Sequence, residues 1–262
     1  MKSLCWLLVA LLITGCGTTV TLPAPATLRL AGSTSMQPLL ADLSAAYRVR
    51  ASHVTIIIEG GGSRLGRELA AEGGADLGLT SWLPAESEVG WSVPIALDGI
   101  AVIVHPNNPL DGLTLLQLRH VFSGRFWRWE DVGGNYGEIT VVSREDGSGT
   151  RAVFEERVME GQAVTSTAVV MPSSQAVIEY VAGHPLAIGY VSMGCLSPGV
   201  KALAVEGIAP TPTHVKDGSY HLTRPLYLVA AHEPQGEIRA FVDFCLSPAG
   251  QAIVGKRYGA VK

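Results

Sequence analysis

The sequence predicts an α/β protein, on three observations. Strand-like and helix-like segments alternate along most of the chain. Three times a strand passes to a helix through a small turn carrying hydroxyls, at residues 32–35, 60–63 and 147–150. An apolar fraction of 47% can supply the core of one large or two medium domains.

The elements follow in order. Residues 28–31 read as a short strand, and the turn Gly32-Ser33-Thr34-Ser35 leads into a helix from about Met36 to Arg48. Val54–Glu59 is a second strand, followed by Gly60-Gly61-Gly62-Ser63 and a helix through Glu72. Residues 76–79 form a third strand, ending at Thr80-Ser81. The apolar run 99–105 is a strand that stops at Pro106-Asn107-Asn108-Pro109, a turn signal. Residues 113–122 read as helical. The strand 139–143, a turn and a helix over 152–159 come next. A helix over 175–182, strands over 187–191 and 227–231, and helices over 235–246 and 249–256 complete the pattern.

Residues 144–151, Arg-Glu-Asp-Gly-Ser-Gly-Thr-Arg, are the most informative stretch. Small residues at a strand-to-helix junction leave N–H groups uncovered at a helix start. Ser148 and Thr150 add hydroxyls, and Arg144 and Arg151 add fixed positive charge, so the turn suits an anion. A plain helix N-cap accounts for the Ser and Thr equally well. No Gly-Lys-Ser/Thr closes the turn, which excludes a P-loop. Three such turns suggest helix N-termini converging on one anion beyond the carboxyl ends of the strands.

The first residues point to export. Lys2 precedes an apolar run from Leu4 to Ile13, too short to span a bilayer, that ends in Thr14-Gly15-Cys16. This resembles the bacterial lipobox, which implies a signal peptide over 1–15, lipidation of Cys16 and an anchor on the outer face of a cytoplasmic membrane or in a periplasm. Residues 16–26 have a tether's composition. Cleavage removes only Lys2 among charged residues, leaving 18 basic against 23 acidic side chains and about 247 residues. That balance argues against nucleic acid, yet a locally positive site can still hold an anion. Cys195 and Cys245 are the remaining cysteines; they can pair or stay as separate buried thiols.

Seven segments, in order, resemble the phosphate-binding proteins of bacterial ABC phosphate importers, the PstS-like group. Ala31-Gly32-Ser33-Thr34-Ser35, Glu59-Gly60-Gly61-Gly62-Ser63 and Ala75-Asp76-Leu77-Gly78-Leu79-Thr80-Ser81 are similar to the family's phosphate loops, and 144–151 to its most specific signature. Val121-Phe122-Ser123-Gly124 with Trp129-Glu130-Asp131-Val132, Ala187-Ile188-Gly189-Tyr190-Val191 and Arg224-Pro225-Leu226-Tyr227 support the match. The resemblance covers about residues 28–261. It implies a two-lobed, type II periplasmic-binding-protein fold with the ligand cleft between lobes. Lobe one would hold residues 27–100 and 223–262, lobe two 101–222, with hinges near 98–101 and 222–226. It implies phosphate held by Thr34, Ser35, Ser63 and Ser81 from lobe one and by Arg144, Ser148, Gly149 and Thr150 from lobe two. It also implies a monomer that docks on an ABC permease, with no cofactor. Ser81 stands where some members place an aspartate that accepts the phosphate proton, and Asp146 is a candidate either to take over part of that role or only to cap the helix that follows.

Other chemistry lacks support in the pattern. The seven histidines are scattered without ligand spacing, so no metal site is expected. Gly147-Ser148-Gly149 lacks the full Gly-x-Ser-x-Gly elbow, so no catalytic residue is assigned. Trp127 and Trp129 read as packing rather than ligand stacking, and Asp76 and Glu59 as structural or site-flanking. The alternatives are a binding protein for sulfate or molybdate, a surface phosphate-ester enzyme, and a sensor module.

Overall fold

The computed structural model describes residues 23–83 and 90–261. The expected signal peptide, Cys16 and most of the tether lie outside the described residues.

The chain opens with β1 (Ala26–Gly32), a single 3-10 turn over Thr34–Met36, and α1 (Gln37–Arg50). Pro38 sits in the first turn of α1, where a missing N–H breaks no intrahelical bond. Leu39, Leu40, Leu43 and Tyr47 form the buried stripe of α1. β2 (Val54–Glu59) and α2 (Gly62–Glu72) follow, then β3 (Leu77–Thr80). Gly66 lets α2 lie directly on the sheet: a Cβ there would meet Ala31 O at 2.6 Å and Gly32 Cα at 2.7 Å. That close approach fixes where the first turn of α2 points.

β4 (Trp91–Val104) is the longest strand and leads into the middle of the chain. There β5 (Gly112–Leu113), α3 (Leu115–Phe122), β6 (Thr140–Arg144) and α4 (Gly149–Phe154) follow in order. α4 continues as a wider π-helical turn, Glu155–Met159. Next come β7 (Val169–Met171), α5 (Ser174–Gly183), β8 (Ala187–Ser192), β9 (Lys201–Val205) and α6 (Pro212–Lys216). β10 (Thr223–Ala230) then returns to the first strands, and α7 (Gly236–Leu246) and α8 (Pro248–Val254) close the chain.

The strands run in the order β2-β1-β3-β10-β4-β8-β6-β7, with β9 on β4 and β5 on β9. β1, β2 and β3 are mutually parallel, as are β6, β7 and β8; β10 runs against the first group and β4 against the second. β4 belongs to both groups. Trp91 to Gly99 pair with β10, whereas Ile100 to Val104 pair with β8. The handover between Gly99 and Ile100 falls inside the segment expected to act as a hinge. At the same level Asp98 and Arg224 form an ion pair, with Arg224 Nη2 donating to Asp98 Oδ2 at 2.8 Å and Nε at 3.1 Å. Ser192 Oγ donates to the other carboxylate oxygen at 2.8 Å.

Each group of strands has its own aromatic packing. Tyr47 of α1 meets Phe241 of α7 edge-on at 5.3 Å, and Phe154 of α4 stacks on Tyr190 of β8 at 4.0 Å. Trp129 is buried and donates its indole N–H to Leu186 O, a packing role, while Trp127 is half exposed beside Arg128.

Several boundaries differ from the sequence reading. α4 starts at Gly149, three residues before the predicted helix, because Ser148 is the N-cap. Leu113 belongs to β5, and a Thr114–Gln117 capping box starts α3 at Leu115. β4 begins at Trp91 rather than Gly99; β7, β9 and α6 are additional elements. Cys195 and Cys245 are separate free thiols.

Candidate functional site

Four helix starts meet where the two groups of strands face one another. The 3-10 turn after β1 brings Thr34 and Ser35, and the first turn of α2 brings Ser63. The end of β3 brings Ser81, the start of α4 brings Ser148, Gly149 and Thr150, and the start of α5 brings Ser174. All but Ser81 arrive by one local rule: the strand ends at its carboxyl edge, a short turn reverses the chain, and the next helix points its uncovered N–H groups back.

The hydroxyls form a linked cluster. Ser33 Oγ lies 2.8 Å from Ser35 Oγ and 3.0 Å from Ser81 Oγ. Ser63 Oγ lies 3.2 Å from Ser81 Oγ and accepts the Ser81 backbone N–H at 3.0 Å. All four residues are buried. Gly149 abuts them from the opposite wall: a Cβ there would run into the Ser63 and Ser81 hydroxyl oxygens. Glycine at this position lets the backbone N–H at the head of α4 approach the cluster. Thr150 Oγ1 is buried without a hydrogen-bond partner, a cost that a ligand accepting or donating one bond would remove.

Arg144 ends β6 and is 1% exposed. Its Nε and Nη2 each donate at 2.8 Å to the two oxygens of Glu145, Nη1 donates to Ser174 Oγ, and Nη2 also reaches Thr34 Oγ1 at 3.2 Å. Thr34 Oγ1 in turn accepts the Ser174 backbone N–H. The guanidinium is thus pinned from both walls. The fork expected to face an anion is turned to Glu145, and the Nη1 edge faces Ser174.

Ser148 is the helix N-cap that the sequence allowed. Its Oγ caps α4 by accepting Arg151 N–H at 3.3 Å, and its own O–H remains available to donate. Asp146 does not take the place of a carboxylate in the cluster. Its side chain is 82% exposed and accepts Arg64 Nη1 at 2.9 Å. This hydrogen bond, with the nearby charge of Arg64, holds the Asp146 carboxyl below its ordinary range. The Arg64 backbone N–H also donates to Gly147 O at 3.1 Å, so α2 and the 144–151 turn are joined twice. Asp76 accepts Arg29 N–H on the far side of the sheet and is structural.

Every residue expected at the site is drawn to this region. Ser33, Glu145 and Ser174 join it without having been expected. Ser173-Ser174 repeats the strand–hydroxyl–helix signal after β7, but a three-residue strand hides it. Beside the cluster, Cys195 Sγ lies 3.6 Å from Ser35 O, and burial pushes its thiol up to about 11, so it is protonated at neutral pH. Burial likewise pushes Tyr190 up to about 12; its neutral phenol bonds Ser143 beneath the 144–151 turn. Among the described residues no group of three His, Cys, Asp or Glu side chains is arranged to hold a metal ion.

The chain is similar to known proteins over most of its length. The PBP superfamily domain profile matches residues 19–249. The phosphate-binding protein PstS of Bacillus subtilis (strain 168) is 29% identical over 231 residues, covering 86% of this chain and 76% of that protein. A crystal structure described as a phosphate ABC transporter substrate-binding protein with bound phosphate, from Clostridium perfringens, superposes with a TM-score of 0.87. It shares 37% identity and covers 90% of this chain and all of its own. An ABC-type phosphate transport receptor from Vibrio cholerae superposes with a TM-score of 0.71 at 30% identity, covering 88% of this chain and 99% of its own.

Proposed function

The chain belongs to the PBP superfamily, in its PstS-like branch with the type II periplasmic binding fold, and we propose that it captures inorganic phosphate outside the cytoplasmic membrane for an ABC importer. It is a solute-binding protein rather than an enzyme. The observation that carries the phosphate reading is the buried hydroxyl cluster closed by Arg144, with Thr150 Oγ1 left unpartnered.

In this reading Thr34, Ser35, Ser63 and Ser81 donate from one lobe. Arg144, Ser148, Gly149 N–H and Thr150 close over the anion from the other. Dehydrated phosphate exchanges water for fixed donors in a low-dielectric space, where each hydrogen bond is electrostatically stronger than in water. The lobes correspond to residues 27–100 with 223–262, and 101–222. The Gly99–Ile100 handover of β4 and the chain's return before Thr223 are the natural hinges. The signal peptide and Cys16 give the protein a lipid anchor; a Cys16→Ser variant should leave the membrane fraction, and one that stays would remove this part of the reading.

Selectivity rests on hydroxyls. Ser81 can donate or accept, the nearby carboxylate of Glu145 is committed to Arg144, and Asp146 faces Arg64. A serine oxygen would therefore accept the phosphate proton, and rejection of sulfate, which carries none at neutral pH, is weaker than an acceptor-only carboxylate would give. Calorimetry of the purified soluble chain with phosphate, sulfate, arsenate and molybdate tests this. Phosphate should bind tightest. If none of the four binds, the transport reading fails; if sulfate binds as tightly, the protein is a general tetrahedral-oxyanion receptor.

A further inference from the structure

A second cavity adjoins the hydroxyl cluster from outside. It encloses about 290 Å³ between α2 and the end of β3 on one wall and the 146–155 segment on the other. Ser148 lines it and also belongs to the buried site, so the two spaces are separated by the thickness of the Gly147–Ser148 turn. That turn is held to α2 by the Arg64–Gly147 and Arg64–Asp146 bonds.

Three arginines line this cavity, and their engagements differ. Arg64 is paired with Asp146. Arg151 donates Nε to Glu155 at 2.8 Å and Nη1 to Arg144 O at 3.1 Å. Arg67 donates Nη1 to the Trp82 carbonyl at 3.2 Å, and its guanidinium lies over the Trp82 ring at 5.5 Å. Among the described residues no carboxylate pairs with Arg67. Among the described side chains that line the cavity, three arginines stand against the carboxylates of Asp146 and Glu155, an excess of one positive charge on a chain that is net negative, with Glu68 reaching Arg64 at 4.0 Å from outside the lining. Burial is the main influence on Arg67 and lowers its pKa slightly, so the charge stands in a partly desolvated setting where its field is poorly screened.

We propose that this cavity is an outer oxyanion site, with Arg67 as its receiving cation, where phosphate is held in transit before the 144–151 turn opens to admit it. The proposal rests on phosphate being the ligand of the inner site. Clefts of one charge sign raise the local concentration of an oppositely charged ligand and its association rate. Trp82 supplies a flat wall that keeps the Arg67 guanidinium in place. A transit site speeds arrival and departure together, so its signature is kinetic.

Rapid mixing of the soluble chain with inorganic phosphate at low and near-physiological ionic strength tests it. Arg67→Gln should slow association about threefold to tenfold at low salt and flatten its salt dependence, with a smaller change in equilibrium affinity. Arg67→Lys should restore most of the rate, and Arg48→Gln, the same charge change on α1, should leave it unaltered. An unchanged association rate in Arg67→Gln overturns the proposal. So does a loss of affinity carried by faster dissociation, failure of the lysine to rescue, or an equal effect of Arg48→Gln. Absence of equilibrium phosphate binding in the wild type sinks the transport reading along with it; normal binding with unaltered kinetics sinks the outer site alone.

Discussion

Two buried arginines, Arg144 and Arg224, turn the same atoms to a carboxylate and do different work. Each uses Nε and Nη2 for the ion pair. The Arg224 partner, Asp98, is fully buried and held on its second oxygen by Ser192. The Arg144 partner, Glu145, keeps 27% of its side chain in solvent. Burial works to raise the Asp98 carboxyl, and the Arg224 guanidinium, the Ser192 hydroxyl and the Met193 amide work against it. Asp98 therefore cannot release its partner without facing an apolar interior alone, whereas Glu145 can loosen its grip while water solvates it. The seam between the strand groups holds a permanent pair; the candidate site holds a negotiable one, which in the proposed function shares its cation with an incoming anion.

Substitutions can break this comparison. The largest effect should be on stability at the seam. Arg224→Ala leaves the Asp98 carboxylate buried and unpaired, and unfolding in urea should register a loss of about 3–5 kcal/mol. Phosphate affinity at temperatures where the variant is folded should stay near that of wild type. A cost below 1 kcal/mol would mean that Asp98 is solvated after all. Next, Arg144→Ala should weaken phosphate binding at least about tenfold, some 1.4 kcal/mol, with a smaller stability change because Glu145 reaches water. Unchanged affinity by calorimetry would take Arg144 out of the site and dissolve the contrast.

The smallest effect sharpens the boundary of the site. Asp146 pairs with Arg64 across the same turn but is exposed, so Asp146→Asn should alter phosphate affinity by less than about threefold at neutral pH. Its carboxyl is held below the ordinary value of 3.8 by Arg64. Its contribution is therefore complete above that value and fades as pH falls through the depressed one. Affinities of wild type and variant should converge only as pH falls through that depressed value, well on the acid side of the ordinary carboxylate range. A wild-type advantage that grows on acidification would contradict this sign.

The alternation of strands and helices was readable from the sequence because β1 and β2 each hand over to a helix through glycine, and the resemblance named the cluster's loops. What escaped was short or interrupted. Pro94 argues against a central strand, yet β4 carries it at a register shift, where Tyr227 pairs with Pro94 and Leu226 with Ala96, so the missing N–H falls in a bulge. β7 has three residues, too few to display a period, and with it Ser174 was hidden. Ser33 lay within the quoted loop, but nothing local says that its hydroxyl would bridge Ser35 and Ser81. Glu145 as the partner of Arg144 needed side-chain geometry, since neighbours in a strand usually point to opposite faces.

The position of β10 has a consequence for how the polypeptide is made. It inserts between β3 and β4, so the first sheet lacks an interior strand until residues 223–230 emerge. A nascent chain carrying everything before that point presents the open backbone edges of β3 and β4, which are competent to pair with another chain. Long-range strand pairing is slow to form and is secured late. For a chain that is exported, this order of assembly suits translocation ahead of folding, and a product ended by premature termination near residue 222 is an aggregation hazard rather than a half-working receptor.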